Sequence, residues 1–303
     1  MDPTLESRAT IVVLTHNRRA QVLATLRTLQ QLPGCWPIVV VDNGSDDGSA
    51  NAIALRFPLV TLIRAKRNLG AAARNIGVAY AHTPYIAFCD DDTQWEPGAL
   101  DKAVRLLDAA PSVAVVSACV EVGPTRMTDP TCVSMAHSPL AREHLPGPQL
   151  LGFMAGACVF RTAAFYDVGG YWPPLFIGGE EELMALDLVE RGWRIVYADD
   201  VKTRHFPSAQ RDSGLRERLL IRNAIWVAWM RRPLRAAWHE TRMQWRAARA
   251  RGIALPTMLQ MAVGLPRALR CRKVISPAVE RMRLLLDLSP PSDAIQNADR
   301  RVA

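Results

Sequence analysis

Two runs of three carboxylates carry the chemistry this 303-residue sequence offers most plainly. Asp90, Asp91 and Asp92 follow the apolar run YIAFC, and Glu180, Glu181 and Glu182 follow two glycines at the head of a helical pattern. Three adjacent carboxylates repel one another unless a cation or a basic group offsets them. In an extended segment Asp90 and Asp92 point the same way, so together they suit one hard cation or its bound ligand. Such an ion takes one or two carboxylates and fills its shell with water and substrate phosphates. An isolated acidic triplet is ordinarily a solvated turn, so its neighbours must decide. The glutamates also have a plain account, because acidic side chains at a helix N-terminus gain ~0.3–1 kcal/mol from the dipole. Their chemical account is a general base. His205 follows a short strand, and an imidazole beside a carboxylate is sound chemistry for Mn²⁺.

The elements that would position these groups alternate. Continuous apolar runs at Thr10–Thr15, Ile38–Val41, Val60–Arg64, Tyr85–Cys89 and Val113–Ala118 read as strands covered on both faces. Helical patterns lie between them at Arg19–Leu32, Ala50–Phe57, Ala71–Ala81 and Pro97–Ala110, the last with Pro in its first turn. This repetition predicts an α/β fold with a mostly parallel sheet flanked by helices. Gly123 to Gly152 holds five prolines and little periodicity, and reads as a long surface loop. A strand at Ala157–Arg161, a helix at Glu181–Arg191 and a strand at Arg194–Tyr197 follow. In an open parallel sheet, ligands bind beyond the carboxyl ends of the strands. The four exits there are all polar: Thr15-His16-Asn17-Arg18, Asp42-Asn43-Gly44-Ser45, Arg67-Asn68-Leu69-Gly70 and Asp90-Asp91-Asp92.

Taken in order, TIVVLTHNRR, VVDNGSDDGS, RNLGAAARNIG, FCDDDTQW, GGEEEL and HFPS resemble the glycosyltransferases of family 2, which have the Rossmann-like GT-A fold. The set is specific, although each piece alone is weak. The resemblance implies a metal-dependent, inverting transfer of a sugar from a nucleoside diphosphate to a hydroxyl acceptor. It implies that Asp42 accepts the imide N–H of uracil or thymine, with Thr15, Asn17 and Arg18 lining the nucleoside pocket. Arg67, Asn68 and Arg74 would contact ribose or diphosphate. Asp90 would hold the ribose or metal-bound water, Asp91 is a further substrate-binding candidate, and Asp92 and His205 would ligate Mn²⁺ or Mg²⁺, the cofactor. Glu181 matches the base position best; the following helix is one residue longer than the family's spacing, which keeps Glu180 and Glu182 as alternatives. Trp172, with Trp95 and Trp193, is a candidate acceptor platform. Segments of the RNLGAAARNIG kind favour dTDP- or UDP-linked donors and rhamnosyl- or galactofuranosyl-type transfer. The acceptor would be a glycan, a lipid-linked molecule or a small hydroxyl compound of cell-surface synthesis.

Charge divides the chain. From Val201 to Ala303 there are 21 Lys and Arg against 7 Asp and Glu, a net +14; the remainder has 16 against 22, a net −6. The organisation expected is a GT-A domain over 8–206, a basic Trp/Arg-rich helical extension over 207–288 and a disordered tail over 289–303. Arg222, Arg231, Arg232 and Arg235 alternate with Ile225, Trp226, Trp229 and Trp238 at roughly helical spacing. That pattern suits an anionic membrane surface, and so a peripheral position on the inner face of the membrane of a cytoplasmic protein. The competing expectation is that Trp226 and Trp229 pack on the catalytic domain. No uncharged apolar stretch reaches membrane-spanning length, and the N-terminal segment lacks the apolar run of a secretory signal. The six cysteines form no C-x-x-C pair and read as free thiols.

Other classes fit less well. A nucleotidyltransferase typically has a glycine-rich loop after the first strand, and THNRR has no glycine. A dehydrogenase would need G-x-G-x-x-G there. A basic nucleic-acid-binding protein is the remaining alternative, but no recognised binding motif occurs and nucleic acid is not an expected partner.

Overall fold

A computed structural model of the chain describes residues 7–142, 144–207 and 213–288. The tail over 289–303, and Ser208 at the end of HFPS, lie outside the described residues. Strands β1 (Ala9–Thr15), β2 (Ile38–Asp42), β3 (Thr61–Arg64) and β4 (Tyr85–Asp90) lie in the order β3-β2-β1-β4, all parallel. Ile11, Val12 and Val13 are wholly enclosed, as a β-branched run under two helical layers requires. Between the strands run α1 (Arg19–Leu29), α2 (Ser49–Arg56) and α3 (Arg74–Ala79). Gly77 lets α3 lie directly on β1, since a Cβ there would stand 2.4 Å from Val12 Cγ1.

The second half of the sheet is mixed. After β5 (Thr93–Trp95) and α4 (Ala99–Ala109) come β6 (Val113–Val122), β7 (Met127–Thr128), α5 (Pro130–Ala136), β8 (Gln149–Leu150) and β9 (Ala157–Arg161). Strand β9 runs antiparallel between β4 and β6. The segment read as a long loop therefore contains β7, α5 and β8, with Cys132 fully buried. Two helices also differ from expectation. Pro97 precedes α4, because Gly98 at φ 78° turns the chain first. The Ala-rich pattern opens as a 3₁₀ turn over Gly70–Ala73 before α3.

Helices α6 (Thr162–Asp167) and α7 (Glu180–Glu190) follow, and then β10 (Arg194–His205), far longer than its apolar run. A register shift between Ala198 and Lys202 lets β10 continue along β6, and Thr203–His205 pair with Thr93–Trp95. Helices α8 (Ser213–Arg231), α9 (Leu234–Ala250), α10 (Ala254–Arg270) and α11 (Pro277–Leu288) close the described chain. Trp226, Val227, Met230, Ala268, Ile275 and Val279 join the same buried cluster as the sheet.

The members of the expected basic stripe that lie on α8 face inward instead of toward a membrane, whereas Arg235 and Trp238 belong to α9 and are exposed. Ile225 and Trp226 are buried, and Trp229 is half-buried with its indole N–H on Thr241 Oγ1 at 3.0 Å. Arg231 pairs with Asp187 and Arg232 with Glu280, both arginines being buried. The arginine spacing reflects ion pairs that close the extension onto α7 and α11. No helix among the described residues is long and apolar enough to cross a membrane.

Candidate functional site

The exits of β2 and β3 line a cleft of about 370 Å³, with Asp42, Gly44, Ser45, Asp46, Arg64 and Lys66 among its residues. Asp42 is buried, and its carboxylate accepts the Ser45 N–H at 3.2 Å. Asn17, at φ 53°, ties the exits of β1 and β2 together. Its N–H donates to Ser45 Oγ at 2.9 Å, and its side-chain oxygen accepts the Asp46 N–H at 2.9 Å. Arg67 is exposed and its backbone abuts Gly44. Asn68 builds the turn itself: its side-chain oxygen accepts from Gly70 N–H at 2.8 Å and from Asn43 Nδ2 at 3.0 Å. Asn43, a polar exit residue to which the sequence assigned no role, also accepts the Leu69 N–H at 2.8 Å.

The aspartate triplet does not stay extended. Strand β4 stops at Asp90, and Asp91 and Asp92 turn before β5, so Asp90 and Asp92 acquire separate partners. Asp90 pairs with the buried Arg74 and lies so close to Gly156 that a Cβ there would meet its carboxylate at 2.3 Å. Asp91 accepts Thr15 Oγ1 at 2.8 Å, which places Thr15 beneath the acids as a buried support. The carboxylates that share a cation-like group are Asp91 and Asp92. The Arg18 guanidinium reaches them at 3.0 and 2.8 Å. Thr25 in α1 holds the Asp91 carbonyl at 2.7 Å, a contact with no signal in the sequence.

Burial pushes Asp91 up to about 6, although Arg18 and Thr15 oppose it. Burial acts in the same direction on Asp92, but the His205 hydrogen bond and Arg18 outweigh it and hold Asp92 below the ordinary carboxylate range. Arg18 is itself raised: burial disfavours its charge, and Asp91 and Asp92 more than compensate.

Strand β10 delivers His205 Nε2 to 3.4 Å from the free oxygen of Asp92. No group of three or more His, Cys, Asp or Glu among the described residues is arranged to hold a metal by itself. An Asp–His pair nevertheless fits a hard or borderline cation that completes its shell with phosphate oxygens and water.

The second acidic run separates into three environments at the N-terminus of α7. Gly178 and Gly179, at φ 85° and 83°, make the turn into the helix. Glu180 is buried with Oε2 unpartnered, and burial raises its pKa. Glu181 is half-buried, and burial together with Glu180 pushes it up to about 7, against the pull of Arg74. Glu182 points away, to Arg283 of α11 at 3.0 Å. Arg74 therefore lies electrostatically between Asp90 and the Glu180–Glu181 pair.

The loop before these glutamates is held from two sides. The Ala71 N–H reaches the Phe176 carbonyl at 2.7 Å, and a Cβ on Gly70 would stand 2.0 Å from that oxygen. From α8, Asn223 Nδ2 reaches the carbonyls of Leu175, Ile177 and Gly178 at 2.8, 3.0 and 2.6 Å. Arg222 donates to Pro174 and Leu175 and covers the Trp226 ring at 4.2 Å. Trp172 meets Trp226 edge-on at 6.2 Å. Of the other tryptophans considered as an acceptor platform, Trp95 is core and Trp193 donates to Asp167 at 3.0 Å.

The sequence profile of Glycosyl transferase family 2 matches residues 10–169, more than half of the chain. The chain belongs to this family. Among similar proteins is the N-acetylglucosaminyl-diphospho-decaprenol L-rhamnosyltransferase of Mycobacterium tuberculosis, 28% identical over 204 residues, 55% of this chain and 66% of that protein. An uncharacterized glycosyltransferase of Haemophilus influenzae is 32% identical over 105 residues, 34% of this chain and 35% of that protein. The chain thus spans less than two-thirds of the length of these relatives. S. aureus TarS in complex with UDP-GlcNAc superposes with a TM-score of 0.61 at 15% identity, over 91% of this chain and 83% of that one. The mannosyltransferase PcManGT of Pyrobaculum calidifontis, solved with GDP-Man and Mn²⁺, gives 0.58 at 22% identity over 92% and 84%. At these identities the likeness concerns the GT-A fold, including the helices after the sheet. The family match ends before Glu180–Glu182 and His205, so their place beside the aspartates comes from the tertiary structure.

Proposed function

We propose that this protein is a metal-dependent, inverting glycosyltransferase that moves a sugar from a dTDP- or UDP-linked donor to a hydroxyl acceptor in cell-surface glycan synthesis. The observation that carries the reading is the position of Arg74, between Asp90 on the donor side and Glu180–Glu181 on the acceptor side.

In this reading Asp42 accepts the imide N–H of the base, and the Ser45 N–H holds its carboxylate in place. Asp92 and His205 would hold Mn²⁺ or Mg²⁺. When bound, the ion neutralises charge on the departing nucleoside diphosphate. Arg18 keeps Asp91 and Asp92 together. Glu181 takes the proton of the acceptor hydroxyl as its oxygen attacks the anomeric carbon from the face opposite the diphosphate. A carboxylate held at about 7 is half ionised near neutral pH and can accept that proton. Glu182 is tied to Arg283 and is the weakest of the three base candidates.

The rhamnosyltransferase relative's name specifies a lipid-diphosphate acceptor, which favours a lipid-linked acceptor and a cytoplasmic enzyme at the inner membrane face. A donor-hydrolysis screen over nucleotide sugars tests the function. Mn²⁺-dependent release of UDP or dTDP, abolished by chelator, is expected; no release from any nucleotide sugar sinks the proposal.

A further inference from the structure

With the α8 stripe turned inward, the basic surface of the C-terminal region is carried by α9 and α10. On α9, Leu234, Trp238, Arg242, Trp245 and Arg249 follow one another at helical spacing, and all are exposed. Trp238 is 58% exposed and stands edge-on to Trp229 at 5.2 Å, so its indole is fixed in place while facing out. On α10, Leu255, Leu259 and Val263 form an i, i+4, i+8 row that is 71%, 60% and 84% exposed. Arg267 and Arg270 continue from that row. An apolar row of this length left in water needs a covering.

Charge identifies the covering. From Pro233 to Val279 the chain has nine basic residues and one acidic residue, Glu240. Glu240 is half-buried, within 3.8 Å of Arg232 and 2.9 Å of Gln244 Nε2. The outer surface therefore presents Arg235, Arg242, Arg246, Arg249, Arg267, Arg270 and Lys273, while Arg251 pairs with Glu217 of α8 at 3.0 Å. A second copy would bring the same cations face to face across a twofold interface. A nucleic acid would leave the Leu255–Val263 row uncovered. An anionic bilayer satisfies both features, with apolar side chains and indoles in the interface and guanidinium groups at the phosphates.

The face also connects to the site. Gly264, on α10, packs so closely on Trp226 that a Cβ would stand 2.0 Å from the ring. Trp226 donates its indole N–H to Met261 O at 3.0 Å and also meets Trp172, a few residues before the loop that enters α7.

We propose that the α9–α10 face docks the protein on anionic bilayers and presents the loop that enters α7 to a membrane-embedded acceptor. This rests on the lipid-linked reading of the acceptor. The test is co-sedimentation of the full chain with vesicles of phosphatidylcholine alone or mixed with phosphatidylglycerol, across a salt series. Two variants accompany it: Leu255→Ser/Leu259→Ser/Val263→Ser, and Arg242→Glu/Arg246→Glu/Arg249→Glu. Binding is expected only with phosphatidylglycerol, and each variant should bind at least about tenfold more weakly, with donor hydrolysis unchanged. Absence of binding at low salt, or full binding by the serine variant, overturns the docking face. So does a dimer in light scattering that the serine variant dissociates, since the row would then cover a second copy. Vesicle binding is read without any sugar donor, so failed glycosyl transfer with intact binding removes the enzymatic reading and leaves the docking face standing.

Discussion

The side-chain amide of Asn223, in α8, lies 2.6 Å from the carbonyl oxygen of Gly178, two residues before the first glutamate of the acidic run. With its contacts to Leu175 and Ile177, this one side chain gathers three carbonyls of the loop that leads into α7. The C-terminal helices thus brace the loop that leads into the acidic run.

Asn223→Ala takes a donor from the Ile177 and Gly178 carbonyls, while the Leu175 carbonyl keeps Arg222, at a cost of about 1–3 kcal/mol. Denaturant unfolding should show that loss. Donor affinity, set at the distant Asp42 cleft, should persist while turnover falls by about tenfold or more. Unchanged turnover would mean that the loop holds its shape without α8.

Glu181 at about 7 sets the pH dependence. Transfer should rise with pH through about 7 as the carboxylate ionises, and Glu181→Gln should lose ~10²–10⁴-fold in turnover with donor binding intact. Because Glu180 is one of the groups that raise Glu181, Glu180→Gln should move the rising limb to lower pH. If Glu180→Gln abolishes turnover and Glu181→Gln does not, the base is Glu180.

The same shift has a stability consequence. The folded state keeps a proton on Glu181 that the unfolded chain releases above its ordinary value of 4.5. Stability should therefore fall as pH rises from about 4.5 to about 7 on this account. Glu181→Gln should be the more stable protein at neutral pH, measured by thermal melts across that window. A wild type that is equally stable at both ends, relative to Glu181→Gln, contradicts it.

Asp92→Asn should abolish Mn²⁺ binding measured by calorimetry in the presence of nucleoside diphosphate. His205→Ala should weaken it, because one carboxylate remains to hold the ion. Circular dichroism should show both folded. Undiminished Mn²⁺ affinity in Asp92→Asn would place the metal elsewhere.

Asp42→Ala removes a charged acceptor from the nucleotide cleft. The loss of about 1.5–3 kcal/mol expected for a hydrogen bond to a charged group corresponds to roughly ten- to a hundred-fold weaker UDP or dTDP binding. Equal binding of uridine and cytidine diphosphates by the wild type would argue against the imide contact.

Much of this site was legible before folding because it lies at strand exits. Apolar runs such as TIVVLT and YIAFC must be enclosed, so the polar residues that follow them emerge at one edge of the sheet. That reasoning brought Asp42, Asp90–Asp92 and the THNRR segment together from periodicity alone. It failed where a local rule assumed continued regularity. Asp90 and Asp92 were expected to face one cation, but β4 ends at Asp90 and the chain turns, which made Asp91 and Asp92 the shared pair.

The sequence by itself determined the α/β order of elements, the polar edge of the sheet, the family and the basic character of the last third of the chain. These depend on patterns within a few residues, where burial and chain geometry act locally. Only the tertiary structure decided which arginine meets which acid. It put Arg18 on Asp91 and Asp92, Arg74 between Asp90 and Glu181, Arg231 on Asp187 and Arg283 on Glu182. An arginine in a sequence carries the same charge whether it will face a lipid or a buried aspartate. Its partner stands 44 residues away for Arg231 and 101 for Arg283, so distance through space, which local pattern does not encode, makes the choice.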